Sequence, residues 1–192
     1  MNIIGLTGGS GTGKTHALGL FAQMGAMVLD CDGLYHQMLE QNKQMVREIG
    51  AAFPSVVAND TVNRRALGQI VFGDAAALLH LNSITHPHVR GAVEDKIKEA
   101  QEAGASVFVI EAVALFESSL AKLCDKTIAL IAPREVRIRR IVEREGCETV
   151  YATKRVDAQQ ADEFYQKQAD VVIENNQDDT QKLKGQLIGN SA

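Results

Sequence analysis

The chain lacks paired cysteines. Its three, Cys31, Cys124 and Cys147, are odd in number and widely spaced, with no CxxC pair. That argues against a zinc site or a dithiol redox motif and favours reduced thiols in a cytoplasmic protein. Long apolar runs are also missing. The longest, Val107 to Phe116, is interrupted by Glu111 and falls short of the roughly 20 residues that cross a bilayer. No basic segment followed by an apolar one opens the sequence, so no secretory leader is expected. Nor is there an excess of positive charge. Lys plus Arg number 20 against 24 Asp plus Glu, a net charge of -4. Nucleic-acid binders displace counterions with a basic surface, so neither nucleic acid nor membrane is expected as a partner.

What remains is an ordinary globular composition. The 192 residues are 45% hydrophobic and 23% charged, which fits one domain that needs no disulfide or metal staple. Ile3, Ile4 and Leu6 form a short apolar strand ending in glycines. Thr15 to Met24 has apolar residues at helical spacing, and Ala26 to Leu29 reads as a second strand ending at Asp30. This βαβ unit predicts a parallel sheet. Further strands are expected at Val107–Ile110, Thr127–Ile131 and Val171–Ile173. Helices are expected at Tyr35–Ile49, Arg65–Phe72, His88–Ala103, Arg134–Arg144, Asp157–Gln168 and Thr180–Ile188, with a break at Asn82–Pro87. The pattern is that of a three-layer α/β fold. Its core is expected at about 1–32, 105–135 and 169–192, with a helical insertion at about 33–104 as the place for a second substrate.

The chemistry begins at Gly8-Gly9-Ser10-Gly11-Thr12-Gly13-Lys14-Thr15, an ungapped match to G-x-x-x-x-G-K-[ST]. Glycines let backbone amides approach phosphate oxygens, and the loop feeds a helix N-terminus that favours anions. Lys14 adds a full charge toward the β- and γ-phosphates, and the Thr15 hydroxyl is a candidate Mg²⁺ ligand. An apolar strand before the loop and an amphipathic helix after it supply the context such a motif needs. The guanine motif Asn-Lys-x-Asp is missing; the nearest string, Asn42-Lys43-Gln44-Met45, ends in methionine. A transporter signature is missing too. A small ATP-dependent kinase acting on a metabolite is the reading that survives.

Transfer to a hydroxyl needs a carboxylate for the proton, cations on the phosphoryl group and exclusion of water. Asp30-Cys31-Asp32 follows the second strand, where carboxyl ends of strands face the ligand crevice. Asp32 is the candidate for the hydroxyl, with a solvated turn capping the next helix as the competing reading. Glu111 ends its strand either as the holder of a metal-bound water or as a tolerated charge. Arg137, Arg139, Arg140 and Arg144 have helical spacing. Arg140 and Arg144 share a face and either clamp phosphates or adenine, or form a solvated basic face.

These residues, taken together, resemble the dephospho-coenzyme A kinase family. The similarity runs through Ile4 to Thr15, Gly25 to Asp32, Asn63-Arg64-Arg65-Ala66-Leu67 with Val71-Phe72, His86-Pro87, Leu115-Phe116-Glu117 and Ala169 to Asn175. The resemblance implies transfer of the ATP γ-phosphate to the ribose 3′-hydroxyl of dephospho-coenzyme A, with Mg²⁺. It implies Asp32 as base, a helical substrate-binding domain at about 33–104 and a helical lid at about 136–168; Lys14 of the loop and Arg140 of the basic run are the catalytic cations expected beside Asp32. Nucleotide would be held by Gly9, Ser10, Gly11, Thr12, Gly13, Lys14, Thr15, His16, Arg144 and Asn175. Asp32, Arg64, Arg65, His86 and Glu111 would line the acceptor site, His86 and Pro87 forming a turn. Three departures stand out. Thr15-His16 replaces the usual Ser-Thr, Val113-Ala114-Leu115 replaces a Pro-Leu-Leu run, and Asp162 and Tyr165 stand where the family carries lid arginines. Lys154, Arg155 or Lys167 are the candidates to replace them. Two other functions stay open: another small-metabolite kinase, such as one for nucleoside monophosphates, and a nucleotide-binding module with little catalysis.

Overall fold

The computed structural model describes residues 1–71, 73–176 and 179–190. The chain divides into two compact units, Met1–Asp30 with Ala100–Ala192, and Cys31–Glu99. The first is built on a five-stranded sheet of β1 (Asn2–Gly8), β2 (Met27–Asp30), β5 (Val107–Glu111), β6 (Lys126–Ile131) and β7 (Val171–Glu174). The strand order is β2-β5-β1-β6-β7, and every pair is parallel. Parallel strands are covered on both faces, and period-two alternation achieves that here. Ile128 and Leu130 join Ile4, Leu6, Val109 and Ile173 in a core with α1 (Lys14–Gln23) and α9 (Thr180–Asn190). Ala129 and Ile131 point the other way, into a cluster with Tyr165 of α8 (Asp162–Gln168). The expected three-layer α/β fold is thus formed. Between β6 and β7 the chain also folds α6 (Arg134–Glu145) against α7 (Thr149–Asp157) around Ile138, Ile141, Ala152 and Val156.

The second unit holds α2 (Cys31–Gln41), α3 (Lys43–Ala52), a hairpin of β3 (Val57–Ala58) and β4 (Thr61–Val62), α4 (Arg64–Val71) and most of α5 (Ala75–Glu102). One long helix over Tyr35–Ile49 does not form. Asn42 interrupts it and caps α3, its Oδ1 accepting the Met45 N–H at 3.0 Å, a stronger local preference for Asn than a helix interior. The hairpin was not expected. Asn59 and Asp60 have φ of 52° and 57°, the pair of left-handed residues that a two-residue turn of matching twist requires.

The expected break at Asn82–Pro87 is also absent: Pro87 lies inside α5. Leu81, Thr85, Val89, Val93 and Ile97 make a continuous buried stripe along this helix, while Pro87 and Ser83 are exposed. The carbonyl that proline strips of its donor, four residues back, therefore faces water, and the buried stripe outweighs one lost bond. His86 accordingly sits in a helix rather than in a turn. Asp157–Gln168 likewise divides, with a turn carrying Gln159 between α7 and α8. Phe72, expected as the end of the Arg65–Phe72 helix, lies outside the described residues.

Candidate active site

In the first unit, β1 delivers the phosphate loop from the middle of the sheet. Leu6 is registered with Glu111, and so is Asp30, so the carboxyl ends of β1, β2 and β5 lie together, where ligands enter open parallel sheets. The loop backbone needs its glycines at specific points. Gly11 has φ +81°, and a Cβ there would lie 2.5 Å from the Arg137 carbonyl oxygen; Gly13 has φ +98°, and its Cβ would lie 2.3 Å from Asn175 Nδ2.

Four successive carbonyls of the loop are engaged by donors of the protein. The Gly9 oxygen accepts from Thr12 Oγ1 at 2.8 Å and from Lys14 Nζ at 3.3 Å. Ser10 O accepts from Arg137 Nε at 3.0 Å, Gly11 O from Arg140 Nη1 at 3.3 Å, and Thr12 O from Asn175 Nδ2 at 2.8 Å. Carbonyls tied back in this way fix the peptide planes and favour presentation of amides to an anion. Lys14, 8% exposed, is also 3.6 Å from Glu111 Oε1, itself 4% exposed. A buried pair of this kind is costly to disrupt from one side. Thr15 and His16 are exposed on the first turn of α1.

Arg140 also donates to Asn175 O at 3.0 Å, so the sequence-chosen Lys14, Arg140, Asn175 and Glu111 belong to this first unit and its loop. His16 Nε2 lies 3.1 Å from Thr180 Oγ1. It lines a cavity of about 300 Å³ with Gly13, Arg140, Asn175, Asp179 and Leu183. Arg144, on the same helix, pairs with Glu145 at 2.6 Å, and Arg155 joins the same carboxylate at 2.8 Å.

Two residues beside the loop were not chosen from sequence. Arg137 is 5% exposed, and the helical spacing of the basic run gave no sign of which arginine would be buried. Burial pushes its guanidinium below its ordinary value, an effect opposed first by Asp162. Gln159 is its partner, with Arg137 Nη2 donating to Gln159 Oε1 at 2.8 Å. Nothing short-range in the sequence marks a glutamine 149 residues from the serine it touches. Tyr165 is buried among Phe116, Phe164, Ala129, Ile131 and Val172, and burial pushes its phenol up to about 12. Asp162 shifts upward, chiefly through burial.

The second unit carries the other sequence candidates. Asp32 is in the first turn of α2, where a carboxylate is favoured by the helix dipole. Arg64 Nη2 lies 2.7 Å from His36 Nε2, so Nε2 accepts and the proton sits on Nδ1. Nearby Tyr35 is raised by burial and held back by Arg64. Arg65 follows on α4 and is exposed; His86 is half-buried on α5.

The sequence profile of the dephospho-CoA kinase family matches residues 2–181. The dephospho-CoA kinase of Dehalococcoides mccartyi is 35% identical over 178 residues, covering 92% of this chain and 89% of that one. The enzyme of the same name from Bacillus licheniformis is 36% identical over 176 residues, covering 91% and 88%. Among solved structures, a dephospho-CoA kinase from Campylobacter jejuni superposes with a TM-score of 0.69 at 25% identity, over 98% of this chain and 96% of that one. Shikimate kinase from Acinetobacter baumannii, at 16% identity and a TM-score of 0.56 over 98% and 91% of the two chains, shares the fold.

Proposed function

The chain belongs to the dephospho-CoA kinase family, and we propose that it carries the γ-phosphate of ATP to the ribose 3′-hydroxyl of dephospho-coenzyme A. The products are coenzyme A and ADP, and the step is the last of coenzyme A biosynthesis. One observation carries the chemistry: a glycine loop whose carbonyls at Gly9, Ser10, Gly11 and Thr12 are all tied back, beside the buried ammonium of Lys14. Such a loop receives the β- and γ-phosphates, and Lys14 and Arg140 offset the charge that spreads over the transferring group.

Asp32 accepts the hydroxyl proton in this reading, and Arg64, Arg65 and His86 bind the acceptor. Glu111 holds Lys14 in line. His16, Asn175 and Arg144 belong to the nucleotide side. The exposed hydroxyl of Thr15 is a hard oxygen donor of the kind Mg²⁺ takes alongside phosphates and water. When bound there, the ion would neutralise charge on the β- and γ-phosphate oxygens. No helix of the described residues is long and apolar enough to cross a membrane.

The test is mass spectrometry of the product from ATP and dephospho-coenzyme A, with phosphorus–proton NMR to locate the new ester. A single phosphate on the 3′-oxygen is expected; ADP release that ignores this acceptor overturns the assignment. Asp32→Asn and Lys14→Ala are each expected to lower kcat by about 10²–10⁴-fold, with ATP binding retained in Asp32→Asn. Near-wild-type turnover in Asp32→Asn would remove it from the mechanism. The burial of Tyr165, where the family resemblance places an arginine, favours a second reading as a weakly catalytic nucleotide-binding module. Tight ATP binding without acceptor-dependent ADP release would select that one.

A further inference from the structure

Two strong donors converge on one oxygen in the phosphate loop. Gln159 Oε1 accepts the backbone N–H of Ser10 at 2.7 Å and Arg137 Nη2 at 2.8 Å. The amide's orientation is fixed by its partners, because only the oxygen accepts from a peptide N–H and a guanidinium. Its nitrogen donates to Ser10 Oγ at 2.9 Å. Arg137 is itself locked, Nε on Ser10 O at 3.0 Å, with so little room that a Cβ on Gly9 would meet its Nη2 at 2.1 Å. A backbone amide and a cationic N–H aimed at one point form an oxyanion notch. Here it is filled by a neutral amide oxygen from the turn between α7 and α8.

We propose that this notch is a binding point for a terminal phosphoryl oxygen, that Gln159 is its placeholder, and that Arg137 is a phosphate-binding residue of the reaction. The inference rests on the reading of the loop as a nucleoside triphosphate site. The exchange is isosteric for the donors: one oxygen leaves Ser10 N–H and Arg137 Nη2, and another takes both bonds. An anionic oxygen is the better acceptor, since hydrogen bonds to ionised partners are roughly twice as strong as neutral ones. Release of Gln159 also frees the turn between α7 and α8, so occupancy of the notch couples nucleotide binding to the α6–α7 segment.

The position at the Ser10 end of the loop gives the proposal a specific signature. On this proposal a nucleoside diphosphate leaves the notch to Gln159, and the terminal phosphoryl group of a triphosphate takes it. Calorimetric titration of Arg137→Ala is expected to weaken ATP by about 10–100-fold, the loss of one charge-assisted hydrogen bond. ADP loses only the support that Arg137 Nε gives the Ser10 carbonyl, so its affinity should fall by clearly less than that of ATP, and retained ADP binding shows that the variant is folded. Gln159→Ala removes the competitor and is expected to tighten ATP by about 3–10-fold without moving ADP. Equal weakening of ATP and ADP in Arg137→Ala, or weaker ATP binding in Gln159→Ala, overturns the placeholder and leaves both residues as scaffolding. Wild-type protein that binds neither nucleotide overturns the kinase reading itself, and this inference with it.

Discussion

Placing an arginine at position 165, as the family resemblance suggests, should destabilise the packing of α8 rather than improve the site. Tyr165 is 2% exposed. Its ring meets Phe164 edge-on at 5.4 Å between centroids, and Phe164 meets Phe116 at 6.1 Å. The cluster seals α8 to one face of the sheet through Ala129, Ile131 and Val172. Losing a large buried aromatic costs about 3–5 kcal/mol, and each edge-on pair adds about 0.5–1.5 kcal/mol. An arginine stem refills part of the volume, but its charge must then be desolvated or leave the cluster. We expect Tyr165→Arg to lose about 4 kcal/mol against a total stability of about 5–15 kcal/mol. For a domain of this size that lowers Tm by roughly 8–16 °C. Tyr165→Phe, which keeps the ring, should stay within about 3 °C. Differential scanning fluorimetry reads both, and hydrogen exchange over residues 162–168 reads whether α8 opens first. An unchanged Tm together with unchanged exchange in Tyr165→Arg would refute the view that this residue is a structural anchor.

Two other expectations concern the loop and its support. Gly13→Ala forces a side chain onto φ +98° and against Asn175 Nδ2, a strain of about 1–2 kcal/mol before any lost bond; ATP affinity by calorimetry should fall at least about tenfold, and near-wild-type binding would contradict the geometry. Asp170 Oδ2 accepts from Thr127 N and Oγ1 at 2.8 and 2.7 Å, and the hydroxyl bond first, then the amide bond, holds its carboxyl below the usual range. Because the folded value is the lower one, the stability it contributes is present above the unfolded value near about 4 and is lost as pH falls through the folded value. Asp170→Asn should therefore cost about 1 kcal/mol at neutral pH, reduced by solvent exposure, with the gap closing in acid; a gap in urea midpoints that ignores pH would count against it.

Much of the fold was legible because its signals are local. The apolar run before Gly8 and the period of Thr15–Met24 each concern neighbours, and β1 and α1 form within a residue or two of the expected bounds. The helical errors have a different origin. Asn42 and the Asn59-Asp60 pair carried readable turn chemistry that period counting overlooked. Pro87 is a breaker by local rules, and only the buried stripe through Leu81, Thr85 and Val89 keeps its helix intact. That stripe is a property of the folded unit, not of the proline's neighbours.

The candidate site divides along the same line. A phosphate-loop motif specifies which backbone angles the loop visits, since only glycine reaches them cheaply. It does not specify what holds the loop there. The donors that tie back Ser10, Gly11 and Thr12 lie 127, 129 and 163 residues away, and no spacing rule reaches that far. Arg137 was readable as a member of a basic run, but its burial and its bonds to Ser10 and Gln159 emerge only once α6 and the turn after α7 are placed. Their placement bears on the departures at Asp162 and Tyr165. Position 165 is committed to the apolar cluster, and the Asp162 carboxylate offsets the desolvation of Arg137. A guanidinium at 162 would instead repel Arg137 inside a low-dielectric site, where like charges cost most. The cations beside the loop in this chain are thus supplied by α1 and α6, as Lys14, Arg137 and Arg140.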